Sequence, residues 1–147
     1  MKHTLLIEEG IWVADGTYLN EHNRSILVKG ELNIKHHKDV WINSCTLELK
    51  GSNPHKIRNQ YEITPLNKNL DSFTWESKNP AYTKLKGKIT SIGDSFISIF
   101  RSEDSELYGI EYLIKVSADH YKNRGYSFHE SKKLASWSIE VKRLGHK

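Results

Sequence analysis

The segment Leu85–Ser102 reads LKGKITSIGDSFISIFRS and carries the clearest structural signal in the chain. Apolar and polar residues alternate on both sides of the pair Gly93-Asp94. A period of two is typical of a strand with one buried face, and a Gly-Asp pair between two such runs favours a tight hairpin turn. The sequence therefore predicts two antiparallel strands, Leu85–Ile92 and Ser95–Ser102, joined by that turn.

The same alternation recurs along most of the chain. Polar turns separate the runs, and Asn53-Pro54 is one of the clearer breaks. The other predicted strands are residues 9–19, Ser25–His36, Val40–Lys50, Ile57–Pro65, Ser72–Ser77, Leu107–Val116, Tyr121–Phe128 and Leu134–Leu144. Together they make about ten strands. Only Thr4–Glu9 has the pattern of a helical turn.

Consecutive strands joined by short turns must protect the edges of their sheet. Pairing the last strand with the first removes both edges. We therefore predict an all-β fold, a single antiparallel up-and-down β-barrel of about ten strands with a short N-terminal helical turn. One domain is expected over residues 1–147. A two-sheet sandwich is the alternative, although it usually needs longer crossing connections.

Composition limits the classes of partner and location. No apolar stretch approaches the roughly 20 residues needed to cross a bilayer, and the first nine residues are too short and too acidic for a signal peptide. We expect a cytoplasmic protein that does not bind membranes. The net charge is +4, but basic residues are interleaved with acidic ones, so nucleic acid is not an expected partner. Homodimerisation is left open.

Two short motifs resemble those of the calycin superfamily, which includes lipocalins, fatty-acid-binding proteins and nitrobindin-like proteins. The first strand holds Gly10-Ile11-Trp12, similar to the Gly-x-Trp opening strand of that superfamily, and the last strand ends near Arg143. The resemblance implies that Arg143 packs over Trp12 by a cation–π contact, with Trp12 structural, and that the barrel binds a lipid, haem or another small molecule. The chain departs from the pattern in lacking the secretory signal of lipocalins and the more closely spaced glycines of nitrobindin-like proteins.

Large aromatic and charged residues occupy strand positions where a dry core would hold Val, Ile or Leu. A barrel of this size can hold a small ligand between apolar walls with a few polar anchors. The predicted ligand-binding residues are Trp41, Tyr61, Trp75, Arg101, Glu111, Tyr112, Arg124 and Tyr126. Arg101 or Arg124 would anchor an anionic group. The alternative is that the charged residues face solvent, because a register change of one residue exchanges the two faces of a strand.

The expected function is binding of a hydrophobic or anionic small molecule inside the barrel. Two alternatives stay open. One is an enzyme with an acid/base site in the cavity, for which Glu111 with His129 and Glu76 with Arg101 are the candidate pairs. The other is a protein-binding or nucleic-acid-binding barrel with a filled interior. No Gly-x-Ser-x-Gly motif is present, and enzymatic activity is not the favoured interpretation.

Metal and haem chemistry have little support in the sequence. Among the eight histidines no His-x-His pair occurs, and adjacent strand residues such as His36 and His37 point to opposite faces, so no metal site is predicted. No cofactor is expected, with haem held by His120 or His129 as the alternative. Cys45 is interpreted as a small buried hydrophobic residue. Gly125 predicts a backbone bend or, alternatively, room for a ligand.

Overall fold

The computed structural model describes residues 2–78 and 84–145. Ten strands follow one another along the chain: β1 (Gly10–Leu19), β2 (Ser25–His36), β3 (Trp41–Lys50), β4 (His55–Pro65), β5 (Ser72–Ser77), β6 (Leu85–Ile92), β7 (Ser95–Ser102), β8 (Leu107–Ser117), β9 (His120–His129) and β10 (Lys132–Gly145). Each strand pairs antiparallel with the next, and β10 pairs with β1. The predicted closed antiparallel barrel of ten strands is therefore confirmed.

The β6–β7 hairpin forms where the alternation predicted it. Ile92 pairs with Ser95, and the two residues between them make the turn. Gly93 has a φ of 57°, a left-handed conformation that glycine adopts without steric cost. A two-residue turn of this kind matches the twist of the flanking strands, which fixes their register.

The predicted N-terminal helical turn is wrong. Glu8 N donates to Thr4 O at 2.9 Å, but this is one turn, and the described residues form no helix. Leu6 has a φ of 72°, which a right-handed helix cannot accommodate. This conformation accompanies the burial of both Leu5 and Leu6, so packing overrides the local helical preference. In the described part of the chain, accordingly, no helix has the length and apolar character needed to cross a membrane.

One end of the barrel is closed by the segment His3–Leu6, which we call the floor segment. Its Leu5 and Leu6 side chains are buried among the core residues. Polar contacts hold the segment in place: His3 Nδ1 lies 2.7 Å from the hydroxyl of the buried Tyr121, and Thr4 Oγ1 donates to Ala118 O at 2.5 Å. The floor is thus attached to the β8–β9 connection and to β9.

The pair of Trp12 and Arg143 seals the same end and joins the first strand to the last. The two residues are partners across β1 and β10, and Arg143 Cζ lies 5.0 Å from the centroid of the indole ring. Arg143 Nη1 also donates to Glu8 Oε1 at 2.9 Å, and its side chain is only 3% exposed. The contact that the calycin resemblance implied is therefore confirmed.

Candidate functional site

The barrel encloses a cavity of about 350 Å³ above the floor segment. Apolar side chains from every strand except β9 make up most of its wall, and Leu5 and Leu6 form its base. The loops that join β1 to β2, β3 to β4, β7 to β8 and β9 to β10 lie at the opposite end. None of the described residues of these loops lines the cavity.

Aromatic rings on the inner wall lie over glycines of the neighbouring strand. Trp75 is the cross-strand partner of Gly87, and Trp137 is the partner of Gly125. A Cβ atom at either glycine would collide with the indole ring beside it. The pairing of β9 with β8 and with β10 is continuous through Gly125, so the predicted bend is not a bulge. Trp137 fills the space beside Gly125 that the alternative interpretation assigned to a ligand.

Three aromatic side chains form one continuous section of the wall. The ring centroids of Tyr61 and Trp75 are 5.5 Å apart with an edge-to-face geometry, and those of Trp75 and Phe100 are 6.0 Å apart. Trp75 Nε1 donates to Ser98 Oγ at 2.8 Å, which satisfies the indole N–H. The section is therefore fixed in orientation and presents flat apolar surface to the cavity.

Glu111 is the one acidic residue that lines the cavity within the described chain. It lies on the inner face of β8, where Ser98 and Gly125 are its cross-strand partners. Its carboxyl group accepts hydrogen bonds from the side chains of Asn123 and Trp137. Burial nevertheless raises the pKa of Glu111 above its usual value, because the apolar surroundings disfavour the charged form.

Cys45 and Tyr61 add a thiol and a phenol to the same cavity. Burial raises the pKa of Cys45 to about 12, and the charge of Glu111 contributes in the same direction. Burial and the neighbouring Cys45 and Glu111 also raise the pKa of Tyr61. Both groups are therefore neutral at physiological pH, which leaves Glu111 as the group in the cavity that can carry a charge.

Asn43 presents a polar atom that the described protein does not satisfy. The residue is 8% exposed and lines the cavity, and its Oδ1 atom has no hydrogen-bond partner in residues 2–78 and 84–145. Leaving a buried acceptor unpaired costs about 1–3 kcal/mol, so such atoms are uncommon and often mark a place where another group binds.

The structure divides the eight predicted ligand-binding residues between the two faces of the barrel. Tyr61, Trp75 and Glu111 line the cavity. Trp41 stacks on His36 with 3.8 Å between ring centroids and packs against the core without lining the cavity. The other four alternate with inward residues and lie on the outer surface: Arg101, Tyr112, Arg124 and Tyr126. Ligand binding by these residues stays a prediction.

Neither candidate acid/base pair is placed together in the cavity. Glu76 lies on the outer face with its carboxylate 2.7 Å from Lys78 Nζ, and Arg101 forms no ion pair with it in the described structure. His129 is exposed at the end of β9, away from the lining that includes Glu111. His120 Nε2 lies 2.7 Å from Glu140 Oε1, and neither histidine lines the cavity. The described residues contain no group of three or more metal-ligating side chains.

Comparison with known proteins supports the fold. Among solved structures, the chain is similar to an S-type phycobiliprotein lyase from Guillardia theta, with a TM-score of 0.68, 11% identity, and coverage of 95% of this chain and 90% of that one. No protein-family model and no curated protein sequence matches the chain. Since 11% identity establishes the fold alone, the conclusion is that this protein shares the fold of that solved structure, a closed antiparallel β-barrel.

Proposed function

We propose that the protein binds a hydrophobic small molecule inside the barrel. The observation that carries this proposal is the cavity of about 350 Å³ with its mostly apolar lining. Protein interiors are normally packed to the density of organic crystals, with few voids larger than a water molecule. A cavity of this size with convergent polar groups is typical of a ligand site, whereas a barrel that worked through its outer surface would have a filled interior.

The fold of the neighbouring structure agrees with this proposal. The same ten-strand architecture occurs in a protein named as a phycobiliprotein lyase, and we infer from it only that such a barrel suits a small-molecule ligand. An acid/base enzyme receives less support, because His129 lies away from the cavity that Glu111 lines, and Glu76 and Arg101 both lie on the outer face of the barrel. Binding without chemistry is thus the simplest function for the cavity.

A filling variant tests the proposal. Ala14 lines the cavity on β1, and Ala14→Phe would place a ring inside it, whereas Ile99 is 66% exposed on the outer face, so that Ile99→Phe is the matched control. We expect the wild type and Ile99→Phe to increase the fluorescence of the neutral dye Nile red, and Ala14→Phe to lose that increase. Circular dichroism and thermal unfolding establish that each variant is folded. Equal dye binding by all three folded proteins would refute binding inside the barrel.

A further inference from the structure

The cavity is lined by acceptors and neutral groups. Its polar lining consists of the side chains of Asn43, Cys45, Ser98, Glu111 and Asn123 and the phenols of Tyr18 and Tyr61. None of the described lining residues is a lysine, an arginine or a histidine. Arg101 and Arg124, the predicted anchors for an anionic group, are outside the barrel wall. The interior therefore holds a carboxyl group and no cation to balance a second negative charge.

The strongest donors of the wall are already engaged. The indole N–H of Trp75 bonds to Ser98, and the side chains of Trp137 and Asn123 donate to Glu111. The hydroxyls of Tyr61 and Ser98 are neutral, so neither supplies the charge that a buried anion needs. Positive charge is therefore what the described wall lacks.

Acceptor capacity remains unused at two places. A carboxylate has about four lone-pair sites, and the described protein fills two of those on Glu111 through Asn123 and Trp137. Asn43 Oδ1 has no donor in the described chain. Both residues line the same cavity, so a ligand that carries N–H or O–H groups could satisfy them.

We propose that the ligand carries a hydrogen-bond donor, an amine or a hydroxyl, at its polar end, that Glu111 and Asn43 accept from it, and that the site discriminates against a carboxylate. This inference rests on the proposed function and specifies its ligand class. A carboxylate in the cavity would be desolvated beside Glu111 without a cation. An ammonium group would form a charge-assisted hydrogen bond with Glu111, and a hydroxyl group would form a neutral one.

Three ligands with one tail and different heads test the inference: decylamine, decanol and decanoic acid. Binding is measured at neutral pH by calorimetry and by tryptophan fluorescence, since Trp75 and Trp137 line the cavity. We expect decylamine and decanol to bind about tenfold or more tightly than decanoic acid. Glu111→Gln keeps an acceptor for Asn123 and Trp137, and we expect it to weaken decylamine about tenfold and to change decanol little.

Matched controls separate the two proposals. Glu76→Gln removes a carboxylate from the outer face and should leave all three affinities unchanged, while Asn43→Leu should weaken decanol and decylamine alike. If none of the three ligands and no Nile red binds to the wild type, the proposed function itself fails. If they bind but decanoic acid equals or exceeds decanol, or if Glu111→Gln leaves the affinity for decylamine unchanged, binding stands and the donor specificity is overturned.

Discussion

Replacing Gly125 by alanine would test whether the aromatic wall depends on the glycines beneath its rings. A Cβ atom at this position would overlap the Cζ2, Cε2 and Nε1 atoms of Trp137, whose indole N–H donates to Glu111. Overpacking of an interior costs about 1–3 kcal/mol, and losing a hydrogen bond to a charged group costs about 1.5–3 kcal/mol. Because relaxation of the Trp137 ring relieves part of the overpacking and part of the lost hydrogen bond, we expect the free energy of unfolding to fall by about 3 kcal/mol.

Urea denaturation and calorimetry measure this change. For a protein of this size each kcal/mol lowers the melting temperature by about 2–4 °C, so the expected decrease is about 6–12 °C. Gly51→Ala is the control, because its Cβ would lie 3.5 Å from Ile26 Cγ1, an ordinary contact, and should change stability by less than about 0.5 kcal/mol. Adding Trp137→Leu should make Gly125→Ala nearly neutral. Equal costs for the two alanine variants, or no coupling between positions 125 and 137, would refute the reasoning.

Three further predictions concern buried polar groups. Because burial raises the pKa of Glu111, the folded state binds more protons than the unfolded state between the two pKa values, and stability falls as pH rises across that interval. Chemical denaturation should therefore show that Glu111→Gln becomes more stable relative to the wild type as the pH rises from acid to neutral. A pH-independent difference in stability would contradict this. Arg143→Met keeps apolar packing on Trp12 but loses the guanidinium contacts with the ring and with Glu8, and urea unfolding should show a loss of about 2 kcal/mol. A loss below about 0.5 kcal/mol would mean that water replaces those contacts. With a pKa of about 12, Cys45 should react with a disulfide reagent at least about 100-fold more slowly in the folded than in the urea-unfolded chain, and similar rates would argue against its burial.

The fold could be predicted because the barrel rests on local signals repeated ten times. Each alternating run specifies a strand, each polar break a turn, and the hairpin around Gly93 has both features within 18 residues, Leu85 to Ser102. The N-terminal segment could not be predicted in the same way. Leu6 adopts a positive φ while it packs into the floor, and nothing in the residues beside it signals that tertiary demand.

The candidate site was harder to predict because several strands carry both apolar and polar residues on each of their two faces. In β8 the residues Ile110-Glu111-Tyr112 would suggest an inward tyrosine and an outward glutamate, yet the glutamate lines the cavity. A signal for the correct face was present in Gly109, which lies on the same face as Glu111 and pairs with the inward Phe100. The roles of Asn43 and Trp137 could not be predicted either, because they depend on partners from other strands.

Closure of β1 on β10 has a consequence for the order in which the protein can assemble during synthesis. Gly16 pairs with Ile139, so the final seam joins parts of the chain more than a hundred residues apart. Until the last strand leaves the ribosome, the growing sheet has two unpaired edges, which are the surfaces through which nascent β-proteins aggregate. The closed cavity wall and the Arg143 contact on Trp12 thus become available only once β10 has been synthesised and has paired with β1.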